Sequence, residues 1–148
     1  MIIKGVDNQE IDFKVTNYQF PNITDDEWDR NWLNIYIKVI SKFGNWQTID
    51  PSLTTWEVQQ IVEWLDDLAN DVTPEWLDQE FTEPNLTLKL LNKVTDPIKI
   101  IRMSFDHESK PQSASDYKEV FIDIEADKTE LKRMSNDLRI ELSKYPTR

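Results

Sequence analysis

Residues 32–41 alternate without a break: Leu33, Ile35, Ile37 and Val39 fall on one side, Asn34, Tyr36 and Lys38 on the other. A two-residue period of this kind belongs to a strand with one face buried. Such a strand needs neighbours and a cover for its apolar side, and the rest of the chain offers both. Residues 2–4 and about 10–20 read as two more strands, with Ile11, Phe13 and Val15 alternating with polar partners and Asp7-Asn8 as the turn between them. The Phe43-Gly44-Asn45 turn leads into a short partner strand at about 46–50. Further strands are expected at about 77–82, 86–92, 98–105 and 117–125. Residues 21–31, polar and punctuated by Pro21, read as a loop. So do residues 107–116, which contain Pro111 and are expected to form a mobile hairpin loop.

Two segments carry the helical period instead. Thr54 with Glu57 three residues on is a capping box, and Val58, Ile61, Val62, Leu65 and Leu68 then recur at helical spacing. Asp71 and Pro74 mark the exit, which gives a helix over about 55–70. Asp127 with Glu130 opens a second helix over about 128–145, striped by Leu131, Met134, Leu138, Leu142 and Tyr145 and closed by Pro146. Runs of strands with two helices make an α+β domain. Short connections make its sheet mainly antiparallel, with about six to eight strands. The 148 residues form one domain, 1–148, with no internal repeat and no low-complexity tract.

Composition narrows the chemistry. Six tryptophans and 39% hydrophobic residues exclude intrinsic disorder. No cysteine means no disulfide and no thiolate chemistry. The two glycines, Gly5 and Gly44, cannot build a P-loop or a dinucleotide-binding turn. With 28 acidic residues against 17 basic ones, the net charge is −11. Such a chain is a poor direct ligand for nucleic acid and a natural partner for something basic. The first 74 residues carry 13 acidic and 5 basic side chains, so acid concentrates there. No apolar run reaches the roughly 18 residues of a membrane span, and the start has no basic region followed by an apolar stretch. A cytoplasmic address without membrane attachment is expected, and the high charge favours a monomer.

No catalytic constellation stands out. His107, the only histidine, sits between Asp106 and Glu108 and reads as an exposed loop residue without a second histidine to share a metal. Asp123, Glu125 and Asp127 alternate on a strand, but no glycine turn accompanies them as a Ca²⁺ loop would need. No G-x-S-x-G element is present. The chain therefore reads as neither an enzyme nor a metal or cofactor protein.

Two acidic-aromatic clusters are more informative. Asp25, Asp26, Glu27 and Asp29 surround Trp28 in the polar loop. Glu63, Asp66 and Asp67 occupy the wet side of the first helix, continued by Glu75, Trp76 and Asp78. Trp64 falls about 100° from the centre of the apolar stripe, at its boundary. Aromatic anchors fringed by charge suit a protein–protein interface and fast capture of a basic partner. Asp25, Asp26, Glu27, Asp29, Glu63, Trp64, Asp66 and Asp67 are the expected contact residues, carboxylates pairing with lysine or arginine and Trp64 supplying apolar contact.

Four stretches carry a resemblance over most of the chain: Asn31-Trp32-Leu33-Asn34-Ile35, Asp50-Pro51-Ser52-Leu53-Thr54-Thr55-Trp56-Glu57-Val58 with Trp64-Leu65 beyond it, Phe81-Thr82-Glu83-Pro84-Asn85-Leu86, and Leu138 through Pro146. In that order and spacing the chain resembles the WapI-type immunity proteins of Gram-positive bacteria. The resemblance implies a non-enzymatic cytoplasmic antitoxin. Its implied partner is the basic C-terminal toxin domain of a secreted, cell-wall-associated protein of the WapA kind, and such domains include nucleases that cut tRNA. The alternative reading is an acidic mimic of nucleic acid that inhibits a DNA- or RNA-binding protein. It calls for a regular carboxylate stripe, whereas the sequence shows patches.

Overall fold

A computed structural model describes residues 1–114 and 119–148. Among the described residues, eight strands and two α-helices follow in a simple order. Strands β1 (Ile2–Lys4), β2 (Glu10–Tyr18), β3 (Trp32–Ser41) and β4 (Gly44–Thr54) are followed by helix α1 (Thr55–Ala69). Strands β5 (Asp78–Glu80), β6 (Leu86–Leu90), β7 (Ile98–Phe105) and β8 (Val120–Asp127) are followed by helix α2 (Lys128–Lys144). Each set of four strands is an antiparallel meander in chain order, so the fold is α+β with two four-stranded sheets. The expected strand at 117–125 starts at Val120 among the described residues. Residues 117–118, with 115–116 of the expected loop, lie outside them.

The chain therefore runs twice through the same plan, four strands and then a helix that begins on the next residue. The last strand residue caps the helix in both cases. Thr54 Oγ1 accepts the Glu57 amide while Glu57 Oε2 accepts the Thr54 amide at 2.7 Å, a complete capping box. Asp127 likewise accepts the Glu130 amide, at 2.8 Å. Glu130 does not reach back, because it pairs with Arg133.

β4 is longer than the expected strand at 46–50. It runs on through Pro51 to Thr54, with Pro51 and Ser52 both opposite Asn34 in a bulge. β4 is an edge strand, where a residue without an N–H costs no ladder bond. The hairpin before it turns on Lys42-Phe43, with Gly44 at a φ of 117° that suits glycine alone.

The alternation in β3 places Leu33, Ile35, Ile37 and Val39 in the core. They join Val58, Val62, Leu65 and Leu68 of α1, Ile101, Met103, Ile122 and Ile124 of the second sheet, and Leu131 and Leu138 of α2 in one apolar cluster. α1 and α2 pack against each other, and β1 lies beside β8. Gly5 marks that seam: a Cβ there would stand 2.3 Å from Ile122 Cγ2 and 3.1 Å from the Asp123 carbonyl oxygen.

Polar stitches between distant segments complete the fold. Glu57, buried, uses its second oxygen to accept the Thr82 amide at 2.7 Å. The Asn85 amide nitrogen donates to Asp50 at 2.7 Å and to Ser52 at 3.2 Å. Burial lifts the Asp50 carboxyl above the usual aspartate range, aided by the charge of Glu108. Lys99, buried, donates to Asp71 at 2.6 Å and holds that carboxyl below the usual range.

Candidate functional site: an acidic, tryptophan-lined face

The loop between β2 and β3 is held in place by the chain's last residues. Asn31 is fully buried and is the hub. Its amide nitrogen donates to the carbonyls of Glu27 (2.8 Å) and Arg148 (3.0 Å), and its oxygen accepts from Thr55 Oγ1 (3.1 Å) and the Arg148 amide (2.9 Å). The Arg148 guanidinium donates to the carbonyls of Phe20, Pro21 and Arg30 and lies 3.8 Å from the centre of the Tyr18 ring. Tyr145 meets Tyr18 edge-on and donates to the Thr16 carbonyl. Hydrogen bonds thus give this mostly polar loop a defined path.

Within that loop Asp26 Oδ1 accepts the amides of Trp28 (2.9 Å) and Asp29 (2.8 Å), starting the short turn Asp29–Asn31. The turn leaves Asp25, Asp26, Glu27 and Trp28 exposed and Asp29 half-buried. Trp28 then meets Trp56 of α1 edge-to-face, with ring centres 5.2 Å apart and planes at 80°. This contact joins the loop cluster to the helix cluster, 30 residues and more away in sequence.

Trp56, Gln59, Glu63 and Asp67 follow at helical spacing on one side of α1. They face the segment from Pro74 to Gln79 across a groove of about 370 Å³. Gln79 pins that segment, its oxygen accepting from Gln60 at 2.7 Å and its nitrogen donating to the Trp76 carbonyl at 2.8 Å. Trp28 and Trp56 thus link the exposed acidic loop to the groove lined by Glu63, Asp67, Glu75 and Trp76.

Two of the eight expected residues are engaged inside the fold. Trp64 is 2% exposed, not a boundary residue. α1 is covered on more than one side, by α2 and by the second sheet. Trp64 therefore lines a small internal cavity of about 30 Å³ with Ile3, Phe13, Leu88 and Met134. The exposed indoles are those of Trp76, at 65%, and Trp28, at 56%. Trp76 belongs to the acidic run after α1, and its neighbours Glu75 and Asp78 are the signal that could have selected it.

Asp66 is also taken. It accepts from Ser135 Oγ at 2.5 Å and pairs with Arg139, tying α1 to α2. Its neighbour Asp67 makes no side-chain hydrogen bond or ion pair among the described residues. Asp66→Ala should therefore cost roughly 1–2 kcal/mol, since it removes a partly exposed ion pair and the acceptor of the buried Ser135 hydroxyl, to which Arg139 still donates. Asp67→Ala should stay within about 0.5 kcal/mol. Urea unfolding of the two variants checks this, and equal costs would refute the division of labour.

Of the three acids on β8, Asp123 and Asp127 have structural partners and Glu125 lies exposed without one among the described residues. Asp123 pairs with Arg102 through two hydrogen bonds of 2.8 and 2.9 Å, and Asp127 caps α2. No three His, Cys, Asp or Glu side chains among the described residues stand close enough to hold a metal ion. No helix of the described chain is long and apolar enough to cross a membrane.

Comparison with known proteins returns no significant match among curated proteins and none among solved structures. The family model described as the immunity protein WapI-like family, by contrast, matches residues 1–146. With that match spanning nearly its whole length, the chain belongs to the WapI-like family of immunity proteins.

Proposed function

We propose that this protein is a cytoplasmic antitoxin. It binds and neutralises the basic C-terminal toxin domain of a secreted WapA-type protein, a nuclease that cuts tRNA, in competition between cells. Family membership supports an immunity role. The observation that carries the reading to a surface is the Trp28–Trp56 contact, which links two acidic clusters bearing exposed aromatic anchors. A nuclease surface that receives RNA is basic, and an acidic face can occupy or flank it. The interruption of the carboxylates by exposed Trp28, Trp76 and Leu77 suits a protein surface better than a row of phosphates.

The test is affinity capture on the tagged protein from a source-organism lysate that contains the C-terminal domains of its large secreted proteins. Recovery of one stoichiometric basic domain whose RNase activity falls on adding the protein is the expected result. Recovery of a host nucleic-acid-binding protein instead would overturn the reading.

A further inference from the structure

Arg148 closes the neck of the acidic loop. β2 and β3 last meet where the Gln19 amide donates to the Trp32 carbonyl at 2.8 Å, and residues 20–31 then leave the sheet as a compact loop whose ends lie together. The Arg148 guanidinium donates to the start of that loop, at the carbonyls of Phe20 (3.1 Å) and Pro21 (2.9 Å), and to its end, at the carbonyl of Arg30 (2.9 Å). Its carbon stands 3.8 Å from the centre of the Tyr18 ring on β2. Arg102, Arg133 and Arg139 are each spent on a carboxylate. Arg148 bonds only carbonyl oxygens among the described residues, although its loop carries Asp25, Asp26, Glu27 and Asp29. A planar fork of donors can hold two stretches of chain at once, whereas an ammonium acts as a point charge.

The neck is wired to the exposed tryptophan. The Arg30 amide donates to the Asp26 carbonyl at 3.1 Å, and the Asn31 amide to the Trp28 carbonyl at 3.0 Å. Whatever fixes Arg30 therefore fixes the turn that carries Trp28, and Trp28 meets Trp56 of α1. Unlike the fully buried Asn31, Arg148 is only partly buried, so its loss loosens the loop without opening the core. We propose that Arg148 is a positioning residue for partner binding: by closing the neck it keeps Trp28 against Trp56, so that the acidic loop meets the toxin domain already ordered. A loop ordered before encounter loses less freedom on binding, and a loop docked only part of the time weakens binding by that fraction. The partner's identity rests on the toxin-binding reading above; the loop's dependence on Arg148 does not.

The test compares Arg148→Ala and Arg148→Lys with the unaltered protein and follows the tryptophan indole N–H signals by NMR. A Trp28→Ala variant marks where the Trp56 signal falls without the contact. Trp46, whose Nε1 donates to the Ser109 carbonyl at 2.9 Å, is the internal control. In Arg148→Ala the Trp56 signal should move most of the way to its Trp28→Ala position while that of Trp46 stays. Amide exchange at Arg30 and Asn31 should quicken at least tenfold more than at Val62 and Leu65 in α1. Arg148→Lys keeps the charge but not the fork, and should behave like Arg148→Ala. With the captured toxin domain, Arg148→Ala should weaken binding at least fivefold, yet add almost nothing in the Trp28→Ala background, because both act through one contact. An unmoved Trp56 signal, full rescue by Arg148→Lys, or losses of affinity that simply add would overturn the proposal. The NMR arm needs no toxin, so its failure beside a captured domain removes the positioning role alone. Its success without capture removes the toxin partner and leaves the loop's dependence on Arg148.

Discussion

Asn31→Ala is expected to lower the stability of the fold by about 3 kcal/mol. The side chain is fully buried and all four of its hydrogen-bonding positions are filled. Each buried group left without its partner costs about 1–3 kcal/mol. The Glu27 carbonyl escapes most of that by reaching water, whereas the buried Thr55 hydroxyl keeps the bond it accepts from Thr147 but loses the acceptor for its own proton. The Arg148 amide loses its acceptor as well. Asn31→Asp keeps the shape but should be no milder, because it turns a carboxylate toward two carbonyl oxygens and buries a charge. Urea unfolding reads the loss, and hydrogen exchange should quicken at the amides of residues 20–31. A cost below about 1 kcal/mol would mean that the chain's end does not hold the loop.

The segments whose spacing suggests the family turn out to be the ones these stitches use. Asn31 reaches Thr55, Glu57 reaches Thr82, Asn85 reaches Asp50 and Ser52, and Tyr145 reaches Thr16. None of this is legible as local pattern, since a long-range polar contact has no period. What is legible is what repeats. The alternation of β3, the capping box at Thr54 and the stripes of α1 and α2 all appear where the sequence puts them, because each depends on neighbours within a few residues. The doubling of four strands and a helix leaves no trace, as the two halves share topology without sharing residues. β4 is read too short because Pro51 looks like a break, and only the bulge on an edge strand makes room for it.

The candidate site divides along the same line. The acidic clusters are visible in the sequence, but their union depends on one aromatic contact between a loop and a helix. Helical geometry places Trp64 and Asp66 correctly around α1. What it omits is cover on two sides of the helix: α2 pairs Asp66 through Ser135 and Arg139, while Trp64, about 200° round the axis, is buried beside β6 and β7. Trp76, just past the helix, escapes that cover and stands exposed.

Asp25→Lys together with Asp67→Lys is expected to slow association with the toxin domain at least tenfold at low salt. Neither side chain makes a hydrogen bond or ion pair among the described residues, so stability should move little. Long-range attraction between an acidic face and a basic partner acts chiefly on the rate of encounter. Salt should therefore erase the difference, because the screening length falls from about 10 Å at 0.1 M to about 3 Å at 1 M. Trp76→Ala should behave in the opposite way. Losing an exposed aromatic anchor leaves steering intact and removes short-range contact, so dissociation should quicken by about tenfold or more with association nearly unchanged. Stopped-flow association and surface-based dissociation with the captured domain separate the two effects. If the charge reversals act through dissociation, or their effect survives 1 M salt, the acidic face is not what guides the partner in. If Trp76→Ala leaves dissociation unchanged, the interface lies on another side of the molecule.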